Sequence, residues 1–174
     1  GFIVALNDPD FPLKDILKNI SHRGPDSSRI FQNQFVQCGF NRLAIVDADT
    51  KSDQPMMDPD GKWLLLFNGE LYNHASLRSK LVAQYGYRFN TESDTEVLMV
   101  GLGYEGAQFI AKLNGIFSFV FIDLRDCSVI AARDPYGVKP LYYAKNGTSI
   151  YFCSESRPLS KITGASLDAS NLAL

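Results

Sequence analysis

Runs of apolar residues bounded by turn residues predict strands towards both ends of this chain. The first run, Phe2–Leu6, is continuous, which is typical of a strand that is covered on both faces. A β pattern then extends over residues 29–47. Further strands are predicted over residues 63–67, 116–122, 128–132, 141–144 and 150–153, with turn residues between them.

Helices are predicted where apolar residues recur every three or four positions. Gly86 marks the end of one such segment, and Ser93-Asp94-Thr95-Glu96 is a capping box that opens the next. The helical segments are residues 13–20, 77–85, 93–104 and 107–113. Because strands and helices do not alternate as in a doubly wound parallel sheet, the pattern predicts an α+β fold, with antiparallel sheets and helices on their faces.

Composition restricts the class of protein. The 174 residues fit one domain, and a net charge of -2 gives no sign of a nucleic-acid partner. No apolar run approaches the roughly 18 residues of a membrane span, so a cytoplasmic protein without a membrane partner is expected. The three cysteines, Cys38, Cys127 and Cys153, are widely spaced and predict buried structural thiols. No metal-ligand cluster is found.

Several motifs occur together along the chain. Among them are H-R-G-P-D at residues 22–26, R-L-A-I-V-D at 42–47, N-G-E-L-Y-N at 68–73, S-D-T-E at 93–96 and G-V-K-P-L-Y-Y at 137–143. In this order they resemble the N-terminal glutaminase domain of asparagine synthetases, which are class II glutamine amidotransferases. The resemblance implies an N-terminal-nucleophile hydrolase fold, a four-layer αββα sandwich of two antiparallel sheets between helices.

The resemblance also divides the chain. It implies a glutaminase domain over residues 1–160, and residues 161–174 as the start of a linker to a synthetase domain outside this sequence. In the family a cysteine directly precedes the first glycine, so the nucleophilic cysteine is expected immediately before Gly1. It is absent from the natural protein, modified, removed or simply outside the sequence. Cys38 cannot replace it, because an internal cysteine has no free α-amine.

Asn68 and Gly69 are the predicted oxyanion hole. The resemblance implies that the Asn68 side-chain amide and the Gly69 backbone N–H stabilise the charge that develops on the attacked carbonyl. Glycine lets a substrate approach the backbone closely, and asparagine offers a neutral donor. The alternative is structural, because Asn-Gly after a strand is the strongest local signal for a tight hairpin turn. The motif that follows, at residues 70–73, favours the functional interpretation.

Substrate binding is assigned mainly to the strand end at Arg42. An arginine can hold the α-carboxylate of glutamine with two hydrogen bonds. The alternative is a surface ion pair with Asp47 or Asp53, which would contribute little. Backbone groups at Leu43 and Ile45 are implied to line the glutamine pocket.

Two acidic residues complete the predicted site. Asp94 is the candidate acceptor for the α-amino group; it can equally complement a helix dipole, and the two roles are compatible. Glu70 either helps to hold the same ammonium or is a solvated turn residue. His22 is expected to order the loop at residues 23–26, and His74 to lie near a helix start, rather than to act in acid–base catalysis.

The function that follows is glutamine hydrolysis, with release of ammonia to the synthetase domain of the same polypeptide. Glutamine is the expected substrate, and a second copy of the chain is a further expected partner, as a homodimer. No cofactor is expected in this domain, whereas ATP and Mg are implied for the synthetase domain, whose default acceptor is aspartate. One alternative is a catalytically inactive glutamine-sensing or assembly module; another is an N-terminal-nucleophile hydrolase acting on a different amide.

Overall fold

The computed structural model describes residues 1–42 and 54–164, which form two antiparallel sheets. The first sheet has the strand order β2-β3-β1-β9-β8, and the second has the order β4-β5-β6-β7. The strands of the first sheet are β1 (Phe2–Leu6), β2 (Ser27–Gln32), β3 (Val36–Arg42), β8 (Tyr142–Asn146) and β9 (Ser149–Cys153). Those of the second are β4 (Met56–Met57), β5 (Trp63–Leu71), β6 (Gly115–Asp123) and β7 (Ser128–Arg133).

Helices lie on the outer faces of both sheets. They are α1 (Leu13–Asn19), α2 (His74–Tyr85), α3 (Asp94–Glu105) and α4 (Ser156–Thr163), with 3₁₀ segments at Ser21–Arg23 and Gly106–Lys112. Helix α2 ends at Gly86, whose φ of 64° is the left-handed conformation expected of a helix-terminating glycine. No helix within the described residues is long and apolar enough to cross a membrane.

Along the central strands, successive apolar side chains alternate between the two faces of the sheet and form an apolar layer on each face. In β1, Phe2 and Val4 lie in the apolar layer between the two sheets together with Leu66. The intervening Ile3 packs in a second layer, against Leu17 of α1. Because successive side chains of a strand point to opposite faces, a continuous apolar run is what a strand between two covered faces requires. The prediction for Phe2–Leu6 is confirmed.

The second sheet repeats this arrangement. Leu65 and Phe67 of β5 pack against Leu98 of α3 in a third apolar layer, whereas Leu64 lies in the layer between the sheets. The order of layers is therefore helices, sheet, sheet, helices. This confirms the predicted α+β fold and its four-layer αββα arrangement.

Helix α4 is the main element that the sequence pattern did not predict. It spans Ser156–Thr163 and buries Pro158 and Leu159, so it continues across the domain boundary placed at residue 160. That boundary stays a prediction. The capping box at the start of α3 is only half formed. Ser93 Oγ accepts the Glu96 N–H at 3.2 Å, whereas the Glu96 carboxylate accepts bonds from the residues just before the helix.

Candidate active site

A cleft of about 780 Å³ opens at one end of the layer between the two sheets. Strand β1 begins there, β3 ends there, and α3 starts beside it. Five predicted site residues line this cleft, namely Arg42, Asn68, Gly69, Glu70 and Asp94. Two others, Leu43 and Ile45, lie outside the described residues. The structure therefore brings together every predicted site residue that it describes.

Gly1 lies buried at the floor of this cleft and continues the β1 ladder. Its nitrogen donates to the Asn41 carbonyl oxygen at 2.8 Å, and its own carbonyl oxygen accepts the Asn41 N–H at 2.8 Å. The next residue is tied to Ser154, whose Oγ accepts the Phe2 N–H at 3.0 Å. A Cβ on Gly1 would lie 2.8 Å from the Arg23 Cβ. Only glycine fits this position without displacing Arg23.

The surroundings of Gly1 disfavour a positive charge. Gly1 is buried and packs against Arg23, so a cation placed there would be desolvated and close to a guanidinium. Part of the Arg23 charge is balanced by Glu155, whose Oε1 lies 3.9 Å from the Arg23 Nε.

Neither histidine is arranged for acid–base catalysis. His22 Nε2 lies 2.6 Å from the Glu155 Oε1, and this bond ties the 3₁₀ segment to the start of α4. His74 is the first residue of α2, as predicted, and its Nδ1 lies 2.8 Å from the Leu71 carbonyl oxygen. Both side chains hold local structure, and His22 also lines the cleft.

Asn68 and Gly69 are not a hairpin turn, so the structural alternative for this pair is wrong. Strand β5 runs through both residues and pairs them with Ser118 and Phe117 of β6. At Gly69 the two strands approach so closely that a Cβ would lie 2.2 Å from the Ile116 carbonyl oxygen. Close backbone approach, rather than a turn, is the reason for glycine at this position.

The Asn68 side chain carries a buried donor at the cleft. Its Nδ2 is buried, yet it has no hydrogen-bond partner among the described residues. Buried polar groups are nearly always hydrogen-bonded, so an unpartnered donor beside a cleft needs an explanation. A ligand oxygen that occupies the cleft would supply the missing acceptor.

A side-chain clamp fixes the strand just before Asn68, and the sequence interpretation did not foresee it. Gln54 Nε2 donates to the Phe67 carbonyl oxygen at 2.9 Å, and Gln54 Oε1 accepts the Phe67 N–H at 2.5 Å. The Gln54 amide thus pairs with β5 as another strand would. No sequence pattern specifies such a contact.

Asp94 is the desolvated carboxylate of the cleft. It is the first residue of α3, and its Oδ2 accepts the Leu71 N–H at 2.9 Å. Burial raises the pKa of Asp94, and the hydrogen bond from Leu71 offsets only part of this effect. Because a buried carboxylate is stabilised by a neighbouring cation, this site is suited to a ligand ammonium group. The helix-dipole role holds as well, as expected.

Arg42 and Glu70 bring opposite charges to the cleft. Arg42 is the half-buried last residue of β3, and Glu70 is exposed on β5. The alternative ion pairs of Arg42, with Asp47 or Asp53, lie outside the described residues and stay untested. The described cleft is lined by the guanidinium-bearing Arg42 from the first sheet and by two carboxylate residues, Glu70 from the second sheet and Asp94 from the start of α3.

A turn built on Asp134 brings a further cation to the cleft. The Asp134 carboxylate is 2% exposed and accepts backbone N–H groups from Phe117, Tyr136, Val138 and Lys139, at 3.0 to 3.2 Å. These contacts hold the turn at residues 134–139 in place. Lys139, the last residue of this turn, lines the cleft.

Replacing Asp134 with alanine is expected to lower the free energy of unfolding by about 3 kcal/mol, because four backbone N–H groups, of which that of Phe117 is buried, lose their acceptor. Although burial alone would raise the pKa of Asp134, the four hydrogen bonds lower it overall. The stabilisation is therefore complete above the unfolded-state pKa of about 3.9 and is lost as the pH falls through the lower folded-state value. Denaturant unfolding at several pH values checks this, with exposed Asp126→Ala as the control. An equal loss in both variants would contradict the assignment.

The cysteines fit the prediction of buried thiols in two cases out of three. Cys38 and Cys153 are buried, and burial raises the pKa of Cys153 to about 11. Cys127 is exposed, so the prediction for it is wrong. It lies in the tight turn between β6 and β7 with a φ of 60°, where the backbone geometry keeps its side chain out of the apolar layers.

The four layers and the cleft at the start of β1 define a class, the N-terminal-nucleophile hydrolases of the amidotransferase type. A model of the glutamine amidotransferase domain family matches residues 1–174, and the chain belongs to that family. Asparagine synthetase [glutamine-hydrolyzing] 1 of Bacillus subtilis is 41% identical over 167 residues, which are 91% of this chain. Asparagine synthetase [glutamine-hydrolyzing] 2 of Arabidopsis thaliana is 40% identical over 148 residues, 84% of this chain.

Solved structures agree on the fold. Glutamine phosphoribosylpyrophosphate amidotransferase from B. subtilis superposes with a TM-score of 0.74 at 22% identity, covering 95% of this chain and 44% of that one. An allosteric regulatory enzyme of purine biosynthesis gives a TM-score of 0.76 at 23% identity, with 95% and 43% covered. The chain spans only about a quarter of the length of the curated relatives it matches, 26% and 25% for the two synthetases.

Proposed function

We propose that this domain hydrolyses glutamine to glutamate and ammonia, with a cysteine immediately before Gly1 as the nucleophile. The observation that carries the proposal is the Asn68 amide, whose buried Nδ2 lacks a partner among the described residues and lies beside the cleft that Gly1 also lines. A cysteine joined to the Gly1 nitrogen would lie at the same cleft as Asn68. The nucleophile and the oxyanion donor would then both act on one carbonyl group of a bound substrate.

The proposed chemistry proceeds in two steps. The cysteine thiolate attacks the side-chain carbonyl carbon of glutamine, and the oxyanion accepts hydrogen bonds from the Asn68 Nδ2 and the Gly69 N–H. The α-amine of the cysteine, which has accepted the proton of the thiol, delivers that proton to the leaving nitrogen as the carbon–nitrogen bond breaks, and ammonia departs from a thioester. Water then hydrolyses the thioester to glutamate.

The two charged sides of the cleft suit the two ends of a free amino acid. Asp94, helped by Glu70, is assigned to the α-ammonium of glutamine, and Arg42 is assigned to the α-carboxylate. Backbone groups at Leu43 and Ile45 are assigned to the pocket wall on the family resemblance alone. A hydrolase for a different amide would have little use for this pair of opposite charges.

The test is glutamate release from glutamine by protein whose first residue has been established by mass spectrometry. Protein with an unmodified cysteine before Gly1 is expected to be active, and a serine in its place should abolish turnover, because a neutral hydroxyl is a far weaker nucleophile. Thermal unfolding of both proteins controls for folding. Inactive protein with the cysteine intact would support the alternative, a glutamine-sensing module.

Arg42→Ala is expected to raise the KM for glutamine by about thirtyfold or more with a smaller change in kcat, because the carboxylate contact exists before and during the reaction. Arg42→Lys should recover only part of the affinity, since an ammonium cannot form the two parallel bonds of a guanidinium. The matched substrate is 4-aminobutanamide, which has no α-carboxylate. Its kinetics should be the same for the parent enzyme and the Arg42→Ala variant, and an equal loss for both substrates would remove Arg42 from the site.

For the whole protein we propose an asparagine synthetase-like amidotransferase located in the cytoplasm. Its synthetase domain would follow residues 161–174 in the same polypeptide, use ATP and Mg, and transfer the ammonia to aspartate or another carboxylate. The names of the relatives support this proposal, since both synthetases are described as glutamine-hydrolysing. The domain boundary at residue 160, a cofactor-free glutaminase domain and a homodimer stay predictions.

A further inference from the structure

The outer edge of β5, which faces away from β6, is held by side chains near the cleft. In an antiparallel ladder the backbone groups of successive residues point to opposite edges of the strand. Phe67 turns its N–H and carbonyl to the outer edge, where the Gln54 side chain binds both, at 2.5 and 2.9 Å. Leu71 turns its N–H to the same edge, where the Asp94 Oδ2 accepts it at 2.9 Å. Gly69 lies midway between Phe67 and Leu71, so its N–H points to this edge as well.

The opposite strand supports this direction for the Gly69 N–H. Gly69 pairs with Phe117 of β6. The Phe117 N–H donates to the Asp134 Oδ2 at 3.2 Å, and the Phe117 carbonyl oxygen accepts the Asp134 N–H at 2.7 Å. Because Phe117 turns its backbone groups away from β5, it forms no hydrogen bonds with Gly69. Among residues 1–42 and 54–164 the Gly69 N–H therefore has no acceptor, and Gly69 lines the cleft.

Gln54 takes the place of a strand at this edge. The register of β4 with β5, continued by two residues, brings residue 54 opposite Phe67. Gln54 binds Phe67 there with its side-chain amide instead of its backbone. A strand that paired further along this edge would cover the Gly69 N–H. A side chain can hold Phe67 and leave the position of Gly69 open to the cleft.

The bond to the Phe67 carbonyl also bears on Asn68. The Phe67 carbonyl and the Asn68 nitrogen belong to one planar peptide unit. A partner that holds this carbonyl therefore sets the plane from which the Asn68 side chain and the next peptide unit, with the Gly69 N–H, depart. Catalytic donors must be held within about 0.5 Å of their productive positions, so the support of this peptide unit matters for both donors.

We propose that Gln54 is a positioning residue of the oxyanion hole. Its side-chain amide holds β5 at Phe67, so that the Asn68 Nδ2 and the Gly69 N–H reach the same substrate oxygen. Gln54 acts through these two donors and not on the substrate itself. This inference rests on the proposed function, because it takes the two donors to serve glutamine hydrolysis.

The test is steady-state glutamate release by the full-length enzyme that carries Gln54→Met, with the N-terminal cysteine verified. Methionine is unbranched and similar in length to glutamine, but its thioether has no donor and is only a weak acceptor. We expect kcat to fall by about tenfold, less than for the loss of a donor, because the donors are displaced and not removed. The KM for glutamine should stay within about twofold.

An aldehyde analogue of glutamine, in which –CHO replaces the carboxamide, provides a second readout. The cysteine sulfur bonds to the aldehyde carbon, the carbonyl electron pair passes to the oxygen, and a tetrahedral adduct forms with its oxygen in the oxyanion hole. Inhibition by this analogue should weaken by about tenfold in Gln54→Met, since its adduct resembles the transition state. Inhibition by glutamate, which forms no such adduct, should stay within about twofold.

Gln37→Met is the matched control. Gln37 is a buried amide near the start of β3, whereas the cleft lies at the end of that strand. Its Nε2 donates to the carbonyl oxygens of Asp8 and Pro9, at 2.9 and 2.8 Å. Gln37→Met should therefore lower the thermal unfolding temperature at least as much as Gln54→Met, yet leave kcat and the inhibition by the aldehyde unchanged.

Unchanged kcat in Gln54→Met, or an equal fall in Gln37→Met, would overturn the positioning role. A tenfold rise in KM with unchanged kcat would also overturn it, because Gln54 would then contact the substrate. If Gln54→Met does not fold, Gln54→Asn, whose amide is one methylene too short to reach both groups of Phe67, should show the same fall in kcat, and full turnover would contradict the proposal. A parent enzyme that releases no glutamate would refute the proposed function, and the positioning role with it.

Discussion

Asn68→Ala is expected to lower kcat for glutamine hydrolysis by about a hundredfold or more, with little change in KM. The physical reason is that the hydrogen bond from the amide strengthens as negative charge develops on the substrate oxygen. Its loss therefore raises the free energy of the transition state more than that of bound glutamine. The measurement is steady-state glutamate release from protein with the N-terminal cysteine verified.

The same substitution is expected to have an unusual effect on stability. Because Nδ2 of Asn68 is buried without a partner in the described structure, removing it relieves a desolvated donor instead of breaking a bond. The free energy of unfolding should therefore stay within about 1 kcal/mol of the parent value or rise. If Asn68 had only a structural role, Asn68→Ala would instead lose stability and keep its turnover.

The control for Asn68 is a neighbouring amide that does have partners. Asn73 donates its Nδ2 to the Lys112 carbonyl oxygen at 2.9 Å, and its Oδ1 accepts the Asn114 N–H at 3.1 Å. Asn73→Ala should therefore cost stability and preserve kcat. Full turnover in Asn68→Ala would remove the amide from the oxyanion hole and leave the Gly69 N–H as the remaining candidate.

Most of the fold could be predicted from the sequence because the order of apolar and polar residues along a strand indicates which of its faces are buried. The run Phe2–Leu6 needs apolar residues on both faces, since helices cover one and the second sheet covers the other. Helix α4 escaped prediction for a physical reason as well. It has only eight residues and contains Pro158, so it lacks the length over which a helical period can be recognised.

The Asn68-Gly69 pair shows where local patterns are insufficient. Asn-Gly favours a turn when only neighbouring residues are considered, yet nine consecutive residues of β5 pair with β6 and keep the strand straight through it. Long-range pairing therefore overrides the local preference. The glycine serves the close approach of the Ile116 carbonyl, and the asparagine supplies the donor at the cleft.

The candidate site could be predicted only because the family resemblance joined distant segments. Arg42, Asn68 and Asp94 lie on three different elements, and no periodicity relates them. What the resemblance could not provide is the support around them, such as the Gln54 clamp on β5. These contacts depend on where a side-chain amide lies in space, which the order of residues does not determine.

Asp94→Asn is expected to raise the KM for glutamine by about thirtyfold or more, while kcat changes less. Asparagine has nearly the same shape and can still accept the Leu71 N–H, so the variant removes the charge and keeps the helix start. The half-buried position makes the charge important, because a desolvated ammonium without a counter-charge is costly to bind.

The predicted loss is specific to the α-amino group. Glutaramate has the carboxamide and the carboxylate of glutamine but no amine, so its kcat/KM should be the same for the parent and the Asp94→Asn variant. Glu92→Gln is the matched control: it removes a carboxylate beside the start of the same helix, from a side chain that is 96% exposed. Its KM should not change.

The pH profile provides an independent check on Asp94. Burial raises the pKa of this carboxyl group, and only its ionised form can hold an ammonium. In the parent enzyme kcat/KM should therefore decline as the pH falls through that raised pKa. In Asp94→Asn the part of this decline that belongs to Asp94 should disappear, since the asparagine amide does not titrate. A parent-like acidic limb in the variant, or an equal loss of activity towards glutaramate, would show that Asp94 serves the helix rather than the substrate.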